Sequence, residues 1–166
     1  MKKKLKIEFF REHPRLYVGR VTIPACGRTL IGKNGPKYIE FPEMYFMVYF
    51  YKPTVRHFGA RAKGFIFSEL TIKRKSDGNA LEMSNTTDGI VCLGDALNNV
   101  SYKNPIKLCE DAVVSFWQSR FSSTLYKKVV FDKNPYQDRD KLDKKVTLKT
   151  LRSLVTKKKK VKKHKN

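Results

Sequence analysis

The sequence predicts an α+β fold: a central antiparallel sheet with a helix packed beside it, followed by a basic C-terminal extension. Three observations predict it. Runs of strand character fill the chain up to about residue 75, whereas apolar spacing of three and four first appears after Asn104. The last eleven residues hold seven lysines and no periodicity, the composition of a tail rather than of a packed element. With 166 residues, 40% of them hydrophobic, the chain has room for one domain with a substantial core.

The elements follow in order. LKIEFF (5–10) alternates imperfectly, and RLYVGRVTI (15–23) is β-branched and aromatic up to Pro24, so both read as strands. CGRTLIGKNGPK (26–37) carries Gly27, Gly32 and Asn34-Gly35-Pro36, the punctuation of a turn. A basic, glycine-containing loop can also hold a phosphate, but the spacing is not that of a Walker loop and a hairpin connection is expected. EMYFMVYFYKP (43–53) is apolar on both faces, so it belongs at the centre of a sheet and stops at Pro53. Its tyrosines, Tyr45, Tyr49 and Tyr51, could stack bases, but with no interleaved Arg or Lys they read as packed instead. A basic connection over 54–67 leads to the half-exposed strand ELTIKRK (69–75), and Ser76-Asp77-Gly78-Asn79 turns the chain.

Residues 81–96 look irregular. A helix then starts with Asn104 as N-cap and Pro105 in the first turn. Ile106, Cys109, Val113, Phe116, Trp117, Arg120 and Phe121 form its stripe, which predicts a helix over 105–121 with Cys109 as a structural residue. Glu110 and Asp111 are expected in its first turns, complementing the dipole. Leu142, Val146, Leu148, Leu151 and Val155 predict a second, basic helix within 138–155. Composition divides the chain into a basic β-hairpin region (1–37), an α+β core (38–135) and a basic helix with a disordered lysine-rich tail (136–166).

Charge and cysteines bound the function. Thirty-six Lys+Arg against 15 Asp+Glu give a net +21, which favours a polyanionic partner. The cysteines, Cys26, Cys92 and Cys109, are odd in number and contain no CxxC pair, so neither a disulfide framework, a cysteine zinc site nor any other metal or cofactor is expected. Met1-Lys2-Lys3-Lys4 resembles the charged start of a signal peptide, yet no sustained apolar region follows and no run is long enough to span a bilayer. The expectation is a soluble cytoplasmic protein without a membrane partner.

One phrase stands apart: Asp88-Gly89-Ile90-Val91-Cys92-Leu93-Gly94, ahead of the Pro-started helix that holds Phe116-Trp117-Gln118-Ser119-Arg120-Phe121. On spacing alone, a cysteine between Val and Leu is a small buried hydrophobe. The phrase and the helix after it resemble the E2-like (ubiquitin-conjugating-enzyme-like) family, in particular the prokaryotic E2-like proteins related to protein B of the PRTRC plasmid systems. The resemblance is sharp over 85–123 and vague over 38–75. It implies an E2/UBC-like fold, an antiparallel sheet meander packed against helices, with the cysteine in an extended segment after the sheet. It further implies that Cys92 accepts a ubiquitin-like modifier as a thioester from an E1-like enzyme and passes it to an amine. Asn85 matches the asparagine of the family's His-Pro-Asn phrase, which here reads Met83-Ser84-Asn85 without the His and Pro. Asp88, with Asp95 on the other side of the cysteine, would orient or deprotonate the incoming lysine. A papain-like dyad of Cys92 with His13 or His57 has no local support, and His164 lies in the lysine tail.

The competing function is non-enzymatic: a basic nucleic-acid-binding or assembly protein on an α+β fold. Its contacts would be Lys73, Arg74 and Lys75, together with Lys157, Lys158, Lys159, Lys160, Lys162 and Lys163 of the tail. Lys2 to Lys4, Arg56, Arg61 and Lys63 would add to the same surface.

Overall fold

A computed structural model describes residues 4–53, 64–83, 85–87, 89–135, 142 and 144–156. Its framework is an antiparallel meander. β1 (Lys6–His13) pairs with β2 (Leu16–Ile23), β2 with β5 (Met44–Tyr51), and β5 with β6 (Phe65–Arg74). β7 (Ala80–Glu82) continues the sheet beyond β6, and β11 (Val130–Asp132) closes that edge; at the other edge β12 (Lys145–Val146) pairs with β1. Three short strands, β8 (Thr86–Thr87), β9 (Ile90–Val91) and β10 (Ser101–Tyr102), attach through β6. The order β11-β7-β6-β5-β2-β1-β12 puts β5 in the middle, as its two apolar faces require.

Alternation along β5 sorts its side chains between two clusters. Phe46, Val48 and Phe50 are fully buried on the face that receives α1 (Pro105–Trp117). Met47 and Tyr49, also fully buried, pack with Phe10 and Val18 on the opposite face. The expected tyrosine row is therefore core or half-buried, not a platform.

Between β2 and β5 the chain makes a separate two-stranded hairpin, β3 (Cys26–Gly32) and β4 (Gly35–Phe41), in register from Cys26↔Phe41 to Gly32↔Gly35. Gly35, at φ +96°, permits the tight reversal. The glycine-punctuated segment is thus the hairpin that its turn residues imply. Leu30, Ile39 and Phe41 point inward and are buried.

α1 begins as the sequence suggests: Asn104 Oδ1 accepts from Ile106 N–H at 3.1 Å, and Pro105 opens the first turn. It ends four residues early, at Trp117, with Gln118 as C-cap. Arg120 and Phe121 are not on its stripe; Phe121 N–H donates instead to Ile31 O of β3 at 2.8 Å. The stripe is completed by Leu108 and Ala112, both fully buried. Glu110 and Asp111 fall in the second turn, so no acidic residue faces the N-terminal dipole; Asp111 accepts from Lys107 Nζ and Tyr102 Oη, each at 2.8 Å.

The second helix, α2 (Leu148–Thr156), is shorter than 138–155 because residues 145–146 pair with β1 instead. Thr147 Oγ1 accepts from Thr150 N–H at 3.1 Å, capping its start, and Leu151 is fully buried. The Lys52 ammonium donates to Leu154 O near its C-terminal end, where cations suit the dipole. The lysine tail, 157–166, lies outside the described residues.

The stretch between α1 and β11 does not simply cross the surface. It runs along the β3 edge, with a parallel backbone bridge between Arg120 and Ile31, rounds the hairpin tip where Lys33 N–H donates to Ser123 O at 3.0 Å, and returns along β4, with a second parallel backbone bridge between Lys128 and Glu40. Asn34 Nδ2 donates to Thr124 Oγ1 at 3.1 Å on the way. Residues 118–129 form a strap around the hairpin.

Candidate functional site

Cys92 is the residue directly after β9. β8 and β9 make a minimal hairpin whose turn contains Gly89 at φ +81°, and β9 is anchored on β6 through Leu70↔Val91. Alternation does the rest: Val91 is buried against the core, so the next side chain points away from it. Cys92 is exposed, Cys26 is half-buried and Cys109 is buried. Gly94, at φ +61°, then redirects the chain into the turn over 94–99.

Asn85 is Cys92's partner. Cys92 N–H donates to Asn85 O at 2.6 Å, and Asn85 Nδ2 lies 3.4 Å from Cys92 O. The other end of the amide, Oδ1, is buried without a hydrogen-bond partner among the described residues. Two residues seven positions apart in the sequence are thereby joined across the β8–β9 hairpin. The donor end of the amide, Nδ2, is the one turned to the thiol residue, at the Cys92 carbonyl.

The carboxylates proposed for this loop are less forthcoming. Asp88 lies outside the described residues. Asp95 is exposed, and its Oδ1 accepts from Asn98 Nδ2 at 2.9 Å within the following turn. His13 sits at the end of β1, three strand spacings from β6, about 14 Å across the sheet. That separation rules out a dyad with Cys92; His57 is outside the described residues. No group of three or more His, Cys, Asp or Glu among the described residues could hold a metal ion.

Cys109 has the opposite surroundings. Its sulfur faces Gly19 of β2 so closely that a Cβ at that glycine would lie 2.5 Å away. Burial, then the neighbouring Glu110 charge, pushes its thiol far above the ordinary range. It is a packing residue, as the helical stripe implies.

The basic triplet at the end of β6 is present but occupied. Arg74 grips Asp77 through Nη2 at 2.5 Å and Nε at 3.1 Å, and its guanidinium lies 5.0 Å from the Phe131 ring centroid. Lys75 Nζ donates to Glu43 at 2.7 Å, which raises its pKa and reduces what it can offer a phosphate. Lys73 is half-buried in the strand. Lys157, Lys158, Lys159, Lys160, Lys162 and Lys163, as well as Lys2, Lys3, Arg56, Arg61 and Lys63, lie outside the described residues.

Sequence reasoning missed the hairpin's outer face. There Tyr38 reaches across to Gly27 on the neighbouring strand, close enough that a Cβ on Gly27 would fall 1.7 Å from its hydroxyl. Pro36, Lys37, Tyr38 and Glu40 share a groove with Lys127 of the strap. No helix among the described residues is long and apolar enough to cross a membrane. Comparison with protein-family models, curated proteins and solved structures finds no match for this chain.

Proposed function

We propose that this chain is an E2-like acyl carrier, with Cys92 as the thioester residue and Asn85 as the amide beside it. The observation that supports the reading is their pairing: an exposed thiol on a short turn, hydrogen-bonded through its backbone to Asn85, whose Nδ2 donor lies beside it at the Cys92 carbonyl. In the first step the Cys92 thiolate attacks the carbonyl carbon of a donor thioester held by an E1-like enzyme. The donor sulfur leaves as a thiol, taking up a proton. In the second step an amine attacks the Cys92 thioester, an amide forms, and the proton lost by the amine returns to the Cys92 sulfur. Asn85 Nδ2 would turn from the Cys92 carbonyl to the oxyanion of that second step. Asp88 would orient the amine.

A glycyl-peptide thioester of mercaptoethanesulfonate serves as a surrogate donor for the folded protein. The expected result is a thiol-sensitive adduct on Cys92, absent in Cys92→Ser. Asn85→Ala should still load but transfer to free lysine about a hundredfold more slowly. Equal adduct formation on Cys26, or unchanged transfer by Asn85→Ala, would overturn the assignment of these roles.

A second reading, a non-enzymatic nucleic-acid binder, is supported by the +21 charge. With Arg74 and Lys75 held by carboxylates, that reading needs other cations.

A further inference from the structure

Asn85 is placed by its neighbours more than by its own side chain. Its Nδ2 reaches Cys92 O at 3.4 Å, a long bond, and its Oδ1 has no partner among the described residues. β8 and β9 share only two rungs, Thr86↔Val91 and Thr87↔Ile90, and Asn85 lies just outside them. A hairpin this short fixes little beyond its own ends.

Thr86 supplies a further anchor. Its Oγ1 accepts from Met83 N–H at 3.0 Å and donates to Met83 O at 2.8 Å, and Thr86 N–H donates to the same oxygen at 3.0 Å. Three hydrogen bonds therefore close the turn 83–86, and two of them run through one half-buried hydroxyl. A threonine that bonds the backbone three residues earlier is a local clamp on the chain between. Asn85 lies within that clamp, and Cys92 N–H holds its carbonyl from the other side at 2.6 Å. The hydroxyl gives its single proton to Met83 O, so none is left to serve a substrate.

We propose that Thr86 is a positioning residue: its hydroxyl closes the 83–86 turn and so aims the Asn85 amide at the Cys92 loop. The proposal rests on the thioester reading for its chemical consequence, and on these hydrogen bonds for its structural one. Loading of Cys92 makes no use of Asn85, so the clamp acts in the second step. There a misplaced oxyanion donor loses much of its effect. Valine at position 86 keeps the branched shape but loses both hydroxyl bonds, which leaves Met83 N–H without its partner. Serine keeps both.

The test follows one round of chemistry, with the glycyl-peptide thioester of mercaptoethanesulfonate as donor and free lysine as acceptor. Thr86→Val should load Cys92 at the unsubstituted rate. It should discharge to saturating lysine about tenfold more slowly, with half-saturation by lysine unchanged. Thr86→Ser should discharge at the unsubstituted rate. In an Asn85→Ala background Thr86→Val should add no further loss, because a residue acting through Asn85 has nothing left to place. Full-rate discharge by Thr86→Val, or a separate additive loss in the double variant, would overturn the proposal. Nuclear magnetic resonance reads the placement without any chemistry. Thr86→Val should shift the Asn85 side-chain NH2 signals and speed deuterium exchange at Cys92 N–H, whereas Thr86→Ser should do neither. If no form acquires an adduct, the thioester reading fails and these signals decide: moved by valine but not by serine they uphold the clamp, unmoved they refute it. If Thr86→Val does not fold, the unsubstituted protein still answers. Its Met83 N–H should resist exchange as a ladder amide does, and free exchange there refutes the clamp.

Discussion

Two cysteines belong to neighbouring parts of this molecule and have opposite fates. Cys92 leaves a two-residue strand on a turn bounded by positive-φ glycines, and its sulfur is exposed. Cys109 sits on the inward stripe of α1, fully buried, in the notch that Gly19 leaves in the sheet. Each is flanked by apolar or helix-forming neighbours, so local composition does not separate them. The element does: in a strand, a buried Val91 forces the next side chain outward, while in a helix the stripe carries Cys109 inward with Leu108, Ala112 and Val113. The reactive thiol and the packing thiol differ in periodicity before they differ in chemistry.

The largest effect that could break this comparison is alkylation. Iodoacetamide should label Cys92 in the folded protein, whereas Cys109 becomes accessible only on unfolding. For a typical domain stability of about 5 kcal/mol or more, that is at least about a thousandfold difference in rate. Mass mapping of the modified peptides against time measures it. Comparable rates would mean that α1 opens locally.

A smaller effect sharpens the packing side. Gly19→Ala drives a methyl into Cys109 Sγ and to 3.3 Å from Phe9 Cε1. The expected cost is about 1–3 kcal/mol, read from denaturant melts. Cys109→Ala removes the obstructing sulfur, so the double variant should be more stable than the two single costs sum to, by about 1 kcal/mol. Strict additivity would show that the two residues do not press on one another.

The third measurement is stability against pH. Cys109 is held protonated by burial and then by Glu110; Tyr102 by burial and then by its hydrogen bond to Asp111. Both groups have folded pKa values above their unfolded ones. Their contribution is therefore complete below the unfolded values and declines as pH rises, because the unfolded chain releases protons that the folded one retains. Unfolding free energy should fall by up to about 1.4 kcal/mol per pH unit for each group above its ordinary pKa. Cys109→Ala should flatten the first part of that decline, above about pH 9, where an unperturbed thiol ionises.

Much of this architecture is legible before any coordinates. The two apolar faces of 43–53 call for a central strand, Ser76 to Asn79 for a turn, and Asn104-Pro105 for a helix start, because each depends on a few adjacent residues. The stripe likewise separates Cys109 from Cys92. What escapes is set by partners distant in sequence. α1 stops at Trp117 because Phe121 donates to Ile31 in place of continuing the helix. The helix over 138–155 shortens because residues 145–146 find β1. Lys73 to Lys75 look like a phosphate contact in the sequence, yet Glu43 lies 32 positions before Lys75, with β5 and β6 between them, and no local pattern announces that pair. Tyr38 reads as an ordinary strand residue until its ring is seen across Gly27, and Lys127 joins it only through the strap.

The strap also has a kinetic side. Asn34 and Thr124 are 90 positions apart, so the loop they close is long, whereas the hairpin they clasp needs only its own turn. The β3–β4 pair can zip within microseconds, but the clasp waits until α1 has docked and delivered residues 118–129. Once the molecule is assembled the same asymmetry runs in reverse. Lifting the strap breaks the hydrogen bonds that the Phe121 and Lys33 N–H groups donate, without disturbing a rung of β2, β5 or β6. Those two amide protons should exchange with deuterium together and ahead of the central ladder, marking the strap as a cooperative unit that opens by itself.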